Sequence, residues 1–183
     1  MAEYHFVTTY EIQAPAEKVW SKLRDFGRYP AWSRGIVAAR ELEPGDEDGV
    51  GAKIRYTIKG RLPFTLVLDA TITRADAPRT LELQAMGELE GVGRWTLQQH
   101  QEITTAQYTW DVRTTKRWMN LVAPLARPLF SWNHDSVMRA FGEGLARSLG
   151  AQLIAIQLQS RPGPGHHHTT QPASKGSTSL RDR

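Results

Sequence analysis

Apolar and polar residues alternate with a period of two along most of this chain, and the period lengthens to between three and four near its end. A period of two places successive side chains on opposite faces of a strand. It predicts strands over Tyr4–Ile12, Ile36–Leu42, Ala52–Ile58, Phe64–Arg74, Thr80–Met86, Glu88–Gln99 and Thr104–Thr114. The longer period predicts an amphipathic helix over Asn133–Leu158, with Met138, Phe141, Leu145, Leu149, Leu153 and Ile156 on one face. Arg139, Glu143 and Arg147 step by four along another face, where solvent can reach them.

Two short helices are expected after the first strand. Pro15 suits a first helical turn, Glu17 sits near the positive helix end, and Val19, Trp20 and Leu23 supply the buried side. Asp25-Phe26-Gly27 ends that helix, and Tyr29-Pro30-Ala31-Trp32 forms the second. The spacers at 44–49, 59–61 and 75–78 are of hairpin length and too short for a crossover helix, so the sheet should be antiparallel. The fold class is therefore α+β. A curved antiparallel sheet of six to seven strands wraps a long C-terminal helix that needs its concave side.

Strand parity assigns the faces. Ile54, Tyr56 and Ile58 share one face, as do Phe64, Leu66, Leu68, Ala70 and Ile72, then Leu81, Leu83 and Ala85, Trp95 and Leu97, and Tyr108, Trp110 and Val112. Asp69, Arg94, Asp111 and Arg113 fall on the opposite, outward face. His134 lies four residues before Met138 and four after Phe130, on the buried side of the long helix. It is the titratable group that the pattern aims at the sheet. As a helix-capping neighbour of Asn133 it would be purely structural; as a pocket residue it would orient a ligand or move a proton.

Composition narrows the options. With 183 residues, 40% hydrophobic and 23% charged, the chain supports one domain with a real core. There is no cysteine, which excludes disulfides and thiolate metal sites. The pI near 9.6 is misleading, because residues after Ser160 carry three of the four net positive charges. A nearly neutral folded part does not offer the basic patch that nucleic acid requires. We expect a domain over 1–160 and a disordered Pro/Gly/Ser-rich tail over 161–183, with His166, His167 and His168 too loosely held to fix a metal. No secretory signal is visible, so a cytoplasmic location is expected. No phosphate-binding loop, dinucleotide fingerprint or metal-ligand spacing is present in the folded part, and no cofactor is expected.

Glu11-Ile12-Gln13-Ala14-Pro15-Ala16-Glu17-Lys18-Val19-Trp20, followed by Asp25-Phe26 and Tyr29-Pro30-Ala31-Trp32, resembles the opening of START-like, or SRPBCC, helix-grip proteins. The later run from Thr114 to Asn120, with Trp132-Asn133-His134-Asp135, is similar to a bacterial subgroup carried under the polyketide cyclase/dehydrase label. The resemblance spans roughly residues 4–158 and implies a deep apolar cavity between sheet and long helix. The superfamily holds both enzymes and passive carriers, so fold alone does not choose between them.

Combined with parity, it makes Trp32, Tyr56, Phe64, Leu66, Leu68, Leu83, Trp95, Leu97, Tyr108, Trp110, Trp118, Phe130, His134, Met138 and Phe141 the candidate ligand contacts. The leading expectation is binding of a hydrophobic small molecule, such as a lipid, an isoprenoid or a polyketide-like compound. The alternatives are a cyclase/dehydratase-type enzyme with His134 as acid/base, and an interaction module whose cavity is filled by side chains. The Trp118–Trp132 segment is apolar but interrupted by Pro124 and Pro128. It reads either as a short helix on the sheet edge or as a lid that meets a membrane transiently.

Overall fold

A computed structural model of the chain describes residues 3–115 and 117–162, with side chains described except over 117–127 and 161–162. Strand β1 (Glu3–Ile12) is followed by helix α1 (Ala16–Arg24), a 3-10 turn (Phe26–Arg28) and the short helix α2 (Tyr29–Trp32). Six strands then run in succession: β2 (Ile36–Glu43), β3 (Lys53–Ile58), β4 (Leu66–Asp76), β5 (Thr80–Gly87), β6 (Leu89–His100) and β7 (Ile103–Thr114). Helix α3 (Arg117–Leu149) and strand β8 (Leu153–Pro162) follow. Alternation had located the first seven strands to within two residues at each end.

All strands pair antiparallel in one sheet of order β2-β3-β4-β5-β6-β7-β1-β8. Pro15, at φ −60° and ψ 144°, leads directly into α1, whose Val19, Trp20 and Leu23 are buried. The expected face assignment holds along the sheet: Ile54, Tyr56, Leu68, Ala70, Ile72, Leu81, Ala85, Trp95, Leu97, Trp110 and Val112 are buried. The outward residues pair in solvent instead, Arg55 with Asp69, Arg94 with Glu82, Arg113 with Glu90 and His5 with Asp111.

Two expectations about the C-terminal part need correction. The helix does not begin at Asn133 but at Arg117, and it continues through Pro124 and Pro128. Each proline leaves the carbonyl four residues earlier without its helical donor, yet the helix does not stop. It also ends earlier than expected, at Leu149. Gly150 takes φ +61°, its N–H donates to the Arg147 carbonyl at 3.1 Å, and the Ala151 N–H donates to the Ala146 carbonyl at 2.9 Å. Those two bonds with a left-handed residue form a Schellman cap, which glycine accommodates without a Cβ clash.

Leu153, Ile156 and Leu158 therefore belong to an eighth strand, one more than the upper expectation. That strand pairs β1, with register shifts at Glu11 and Ile12. The irregularity switches strand parity between Leu153 and Ile156, so both pack against the core although they are three residues apart. A bulged strand thus imitates helical spacing. Among the described residues no helix is long and apolar enough to cross a membrane. The expected tail beyond 162 lies outside the described residues, as does the side chain of Trp118.

Candidate functional site

Helix α3 meets the concave sheet face at very short range. Gly142 lies against the ring of Tyr10, where a Cβ would come within 2.3 Å of Cε1. The Tyr10 hydroxyl donates to the Met138 carbonyl at 2.8 Å, one helical turn before Gly142. Gly144 faces the Trp32 carbonyl, where a Cβ would come within 2.0 Å. Beyond that contact, toward the N-terminal part of the helix, the two layers separate.

The space between them is a cavity of about 170 Å³. From α3 it is lined by Phe130, Asn133, His134, Val137, Met138 and Phe141. Their spacing of three, one, three, one and three is a single helical stripe. From the sheet come Tyr56, Ile58, Leu66, Leu68, Leu83, Trp95, Tyr108 and Trp110, with Tyr4 and Phe6 of β1 and Tyr29 of α2. Gly93 leaves room for Tyr108, since a Cβ there would meet the Tyr108 hydroxyl at 2.4 Å. Trp95 and Tyr108 sit 4.6 Å apart, and Trp95 stacks near Phe141 at 5.6 Å.

Among the fifteen candidates, Tyr56, Leu66, Leu68, Leu83, Trp95, Tyr108, Trp110, Phe130, His134, Met138 and Phe141 meet at this cavity. Trp32 does not line it. It packs edge-on behind the wall, 4.8 Å from Phe141 and 5.1 Å from Tyr29. Leu97 is buried farther along β6, opposite Ala106. Phe64 precedes β4 rather than belonging to it, so strand parity does not govern where it points.

The sequence reading missed Tyr4, Phe6, Tyr29, Ile36, Ile58, Ala70, Leu89, Val112, Thr114, Asn133 and Val137 as lining residues. Tyr4 and Phe6 were legible, since they share the parity of Thr8, Tyr10 and Ile12 in the same strand. Asn133 does not cap a helix. It lies within α3, and its Oδ1 accepts the Leu62 N–H at 3.1 Å, fastening the β3–β4 loop to the helix.

Among the described residues no Lys, Arg, Asp or Glu lines the cavity. Burial pushes the phenols of Tyr29, Tyr56 and Tyr108 well above their ordinary range, so they are neutral at physiological pH. The Tyr29 hydroxyl donates to the Leu23 carbonyl, and that of Tyr56 to the Phe26 carbonyl at 3.4 Å.

His134 is different. Its ring stacks on Phe6 at 3.9 Å and 12°, and both ring nitrogens are buried without a hydrogen-bond partner among the described residues. Nδ1 lies 3.6 Å from Asp135 Oδ1, too far for a hydrogen bond. Burial lowers the imidazole pKa below 6.5, and the pull of Asp135 in the other direction does not cancel it. The ring is therefore neutral at pH 7, and each unpartnered buried nitrogen costs about 1–3 kcal/mol.

Comparison with known proteins agrees with this geometry. A model of the family described as polyketide cyclase / dehydrase and lipid transport matches residues 3–151. Among solved structures, the Zhui aromatase/cyclase from a Streptomyces species is similar at TM-score 0.68 and 17% identity, covering 81% of this chain and 94% of that one. A START superfamily protein from Mycobacterium smegmatis is similar at TM-score 0.63 and 20% identity, covering 79% and 99%. The di-domain ARO/CYC BexL from the BE-7585A biosynthetic pathway is similar at TM-score 0.65 and 16% identity; the match covers 82% of this chain and 51% of BexL. At these identities the likeness is one of fold. No curated protein matches the sequence.

Proposed function

We propose, from the premise that this chain belongs to the polyketide cyclase / dehydrase and lipid transport family, that it binds a hydrophobic small molecule between its sheet and α3. The observation that carries this reading is the cavity itself. It is walled by aromatic and aliphatic side chains, with a few polar groups and, among the described residues, no charged side chain. Such walls suit apolar ligands, because every contact removes apolar surface from water and no charge has to be desolvated. An apolar cavity of roughly 150 Å³ is enough to hold benzene. At about 170 Å³ this one accepts a ring system directly, and a long lipid chain would need the layers to part further.

Leu129 and Trp132 stand exposed on α3 beside the lining residues Phe130 and Asn133, and the Arg61 guanidinium lies 5.4 Å from the Trp132 ring. In our reading this surface meets a membrane transiently while a ligand enters or leaves. Native mass spectrometry after gentle purification, together with displacement of a fluorescent lipid, tests the binding function. A bound apolar species and dose-dependent displacement are expected. Absence of both, across aromatic, isoprenoid and acyl ligands, would overturn it.

A cyclase/dehydratase activity is the second reading, favoured by one observation: the neutral His134 imidazole lines the cavity. In that reading the imidazole takes a proton from the carbon beside a ligand carbonyl. It returns that proton to a hydroxyl on the adjacent carbon, which leaves as water. A His134→Ala variant that binds normally but loses turnover would support this route, and unchanged turnover would remove it.

A further inference from the structure

We propose that the ligand is an uncharged, ring-bearing molecule carrying a hydroxyl group, and that His134 is the residue that receives that hydroxyl. This rests on the reading of the cavity as the ligand site. Several of its polar groups are already engaged: Tyr29 and Tyr56 donate to backbone carbonyls of α1 and the following turn, and the Asn133 carbonyl oxygen accepts from Leu62. Among the described residues His134 contributes two polar atoms without such partners.

A neutral imidazole offers one donor and one acceptor, which matches a hydroxyl. A carbonyl or a carboxylate could only accept. A carboxylate or an ammonium would also enter a wall whose described residues carry no opposite charge, and stripping its water would oppose binding.

The ring can reach such a partner. The His134 side chain keeps 15% exposure although both nitrogens are shielded, so the exposed part is carbon. A half-turn about Cβ–Cγ exchanges Nδ1 with Cδ2 and Nε2 with Cε1 while the ring stays stacked on Phe6. The nitrogens then occupy the positions the ring carbons hold now.

Four probes of one shape test the proposal by calorimetry on the full chain: naphthalene, 2-naphthol, 2-naphthoate and 2-naphthylmethylammonium. We expect 2-naphthol to bind about tenfold more tightly than naphthalene, the effect of one additional satisfied hydrogen bond, and both ions to bind least. In His134→Leu the advantage of 2-naphthol over naphthalene should vanish. In the wild type, the His134 ring nitrogen resonances should shift toward hydrogen-bonded values with 2-naphthol and not with naphthalene, a readout that needs no variant to fold. Equal affinity for naphthalene and 2-naphthol, or tightest binding of either ion, would overturn the proposal and leave the binding function standing. Failure of all four probes, with no bound species in native mass spectrometry, would overturn both.

Discussion

At the scale of single residues, His134 decides how the cavity responds to protons. Its folded pKa lies below 6.5 because burial disfavours the charged ring, and Phe6 packs on its face while Asp135 stands 3.6 Å from Nδ1. Below pH 6.5 the unfolded chain takes up a proton here that the folded protein resists. The contribution of neutral His134 is thus complete above 6.5 and is lost as pH falls through the lowered folded value. Urea midpoints measured from pH 7.5 downward should fall more steeply in the wild type than in His134→Leu. Parallel profiles would remove His134 as the cause. The residue was legible because helix spacing from Phe130 and Met138 puts it on the buried stripe. Its stacking on Phe6 was not, since that ring lies 128 positions earlier in the chain.

Among the elements, α3 is shaped by what its glycines allow. Replacing glycine by alanine inside an ordinary helix stabilises it by about 1 kcal/mol. At Gly144 we expect the opposite sign. The new Cβ would come within 2.0 Å of the Trp32 carbonyl oxygen, a backbone atom that cannot swing aside as a side chain would. Overpacking of this kind costs about 1–3 kcal/mol and should outweigh the helix gain. Gly144→Ala should therefore lower the urea midpoint with an unchanged slope, and a raised midpoint would refute the close approach. The amphipathic stripe announced this helix, but its ends were misjudged. At the C-terminal end, Leu153 and Ile156 extended the expected helix to Leu158, because they continue the helical count by accident of a bulge. At the N-terminal end, Pro124 and Pro128 argued for a break that the helix does not make.

In the whole molecule, β8 covers the outer edge of β1 and lies beyond the span 3–151 that the family model matches. Its Leu153, Ile156 and Leu158 pack against the core, and Ser160 meets Ser131 of α3 at 2.9 Å. A chain ending at Gly150 would lose those contacts and expose the unpaired backbone groups of β1. With three partly buried aliphatic side chains lost, on the order of 3 kcal/mol, the melting temperature should fall by roughly 10 °C. Size-exclusion chromatography should show self-association through the bare edge. A monomer with unchanged melting would mean that β8 contributes nothing to the fold.

Strand existence, the inward aromatic face and the buried stripe of α3 were all determined by the sequence itself, because period two and period 3.6 are properties of local backbone geometry. The antiparallel order followed from connections too short to cross over. What only the tertiary structure decided is where the layers touch and where they part. Gly142 brings the helix against the sheet and Gly144 brings it against α2, and the layers separate from Met138 back to Phe130. It also decided that eleven of the candidates meet at one cavity while Trp32 and Leu97 stay behind its wall, and that Leu153–Pro162 is strand rather than helix. Periodicity tells a side chain which face to occupy. Only packing against distant residues determines whether that face is filled.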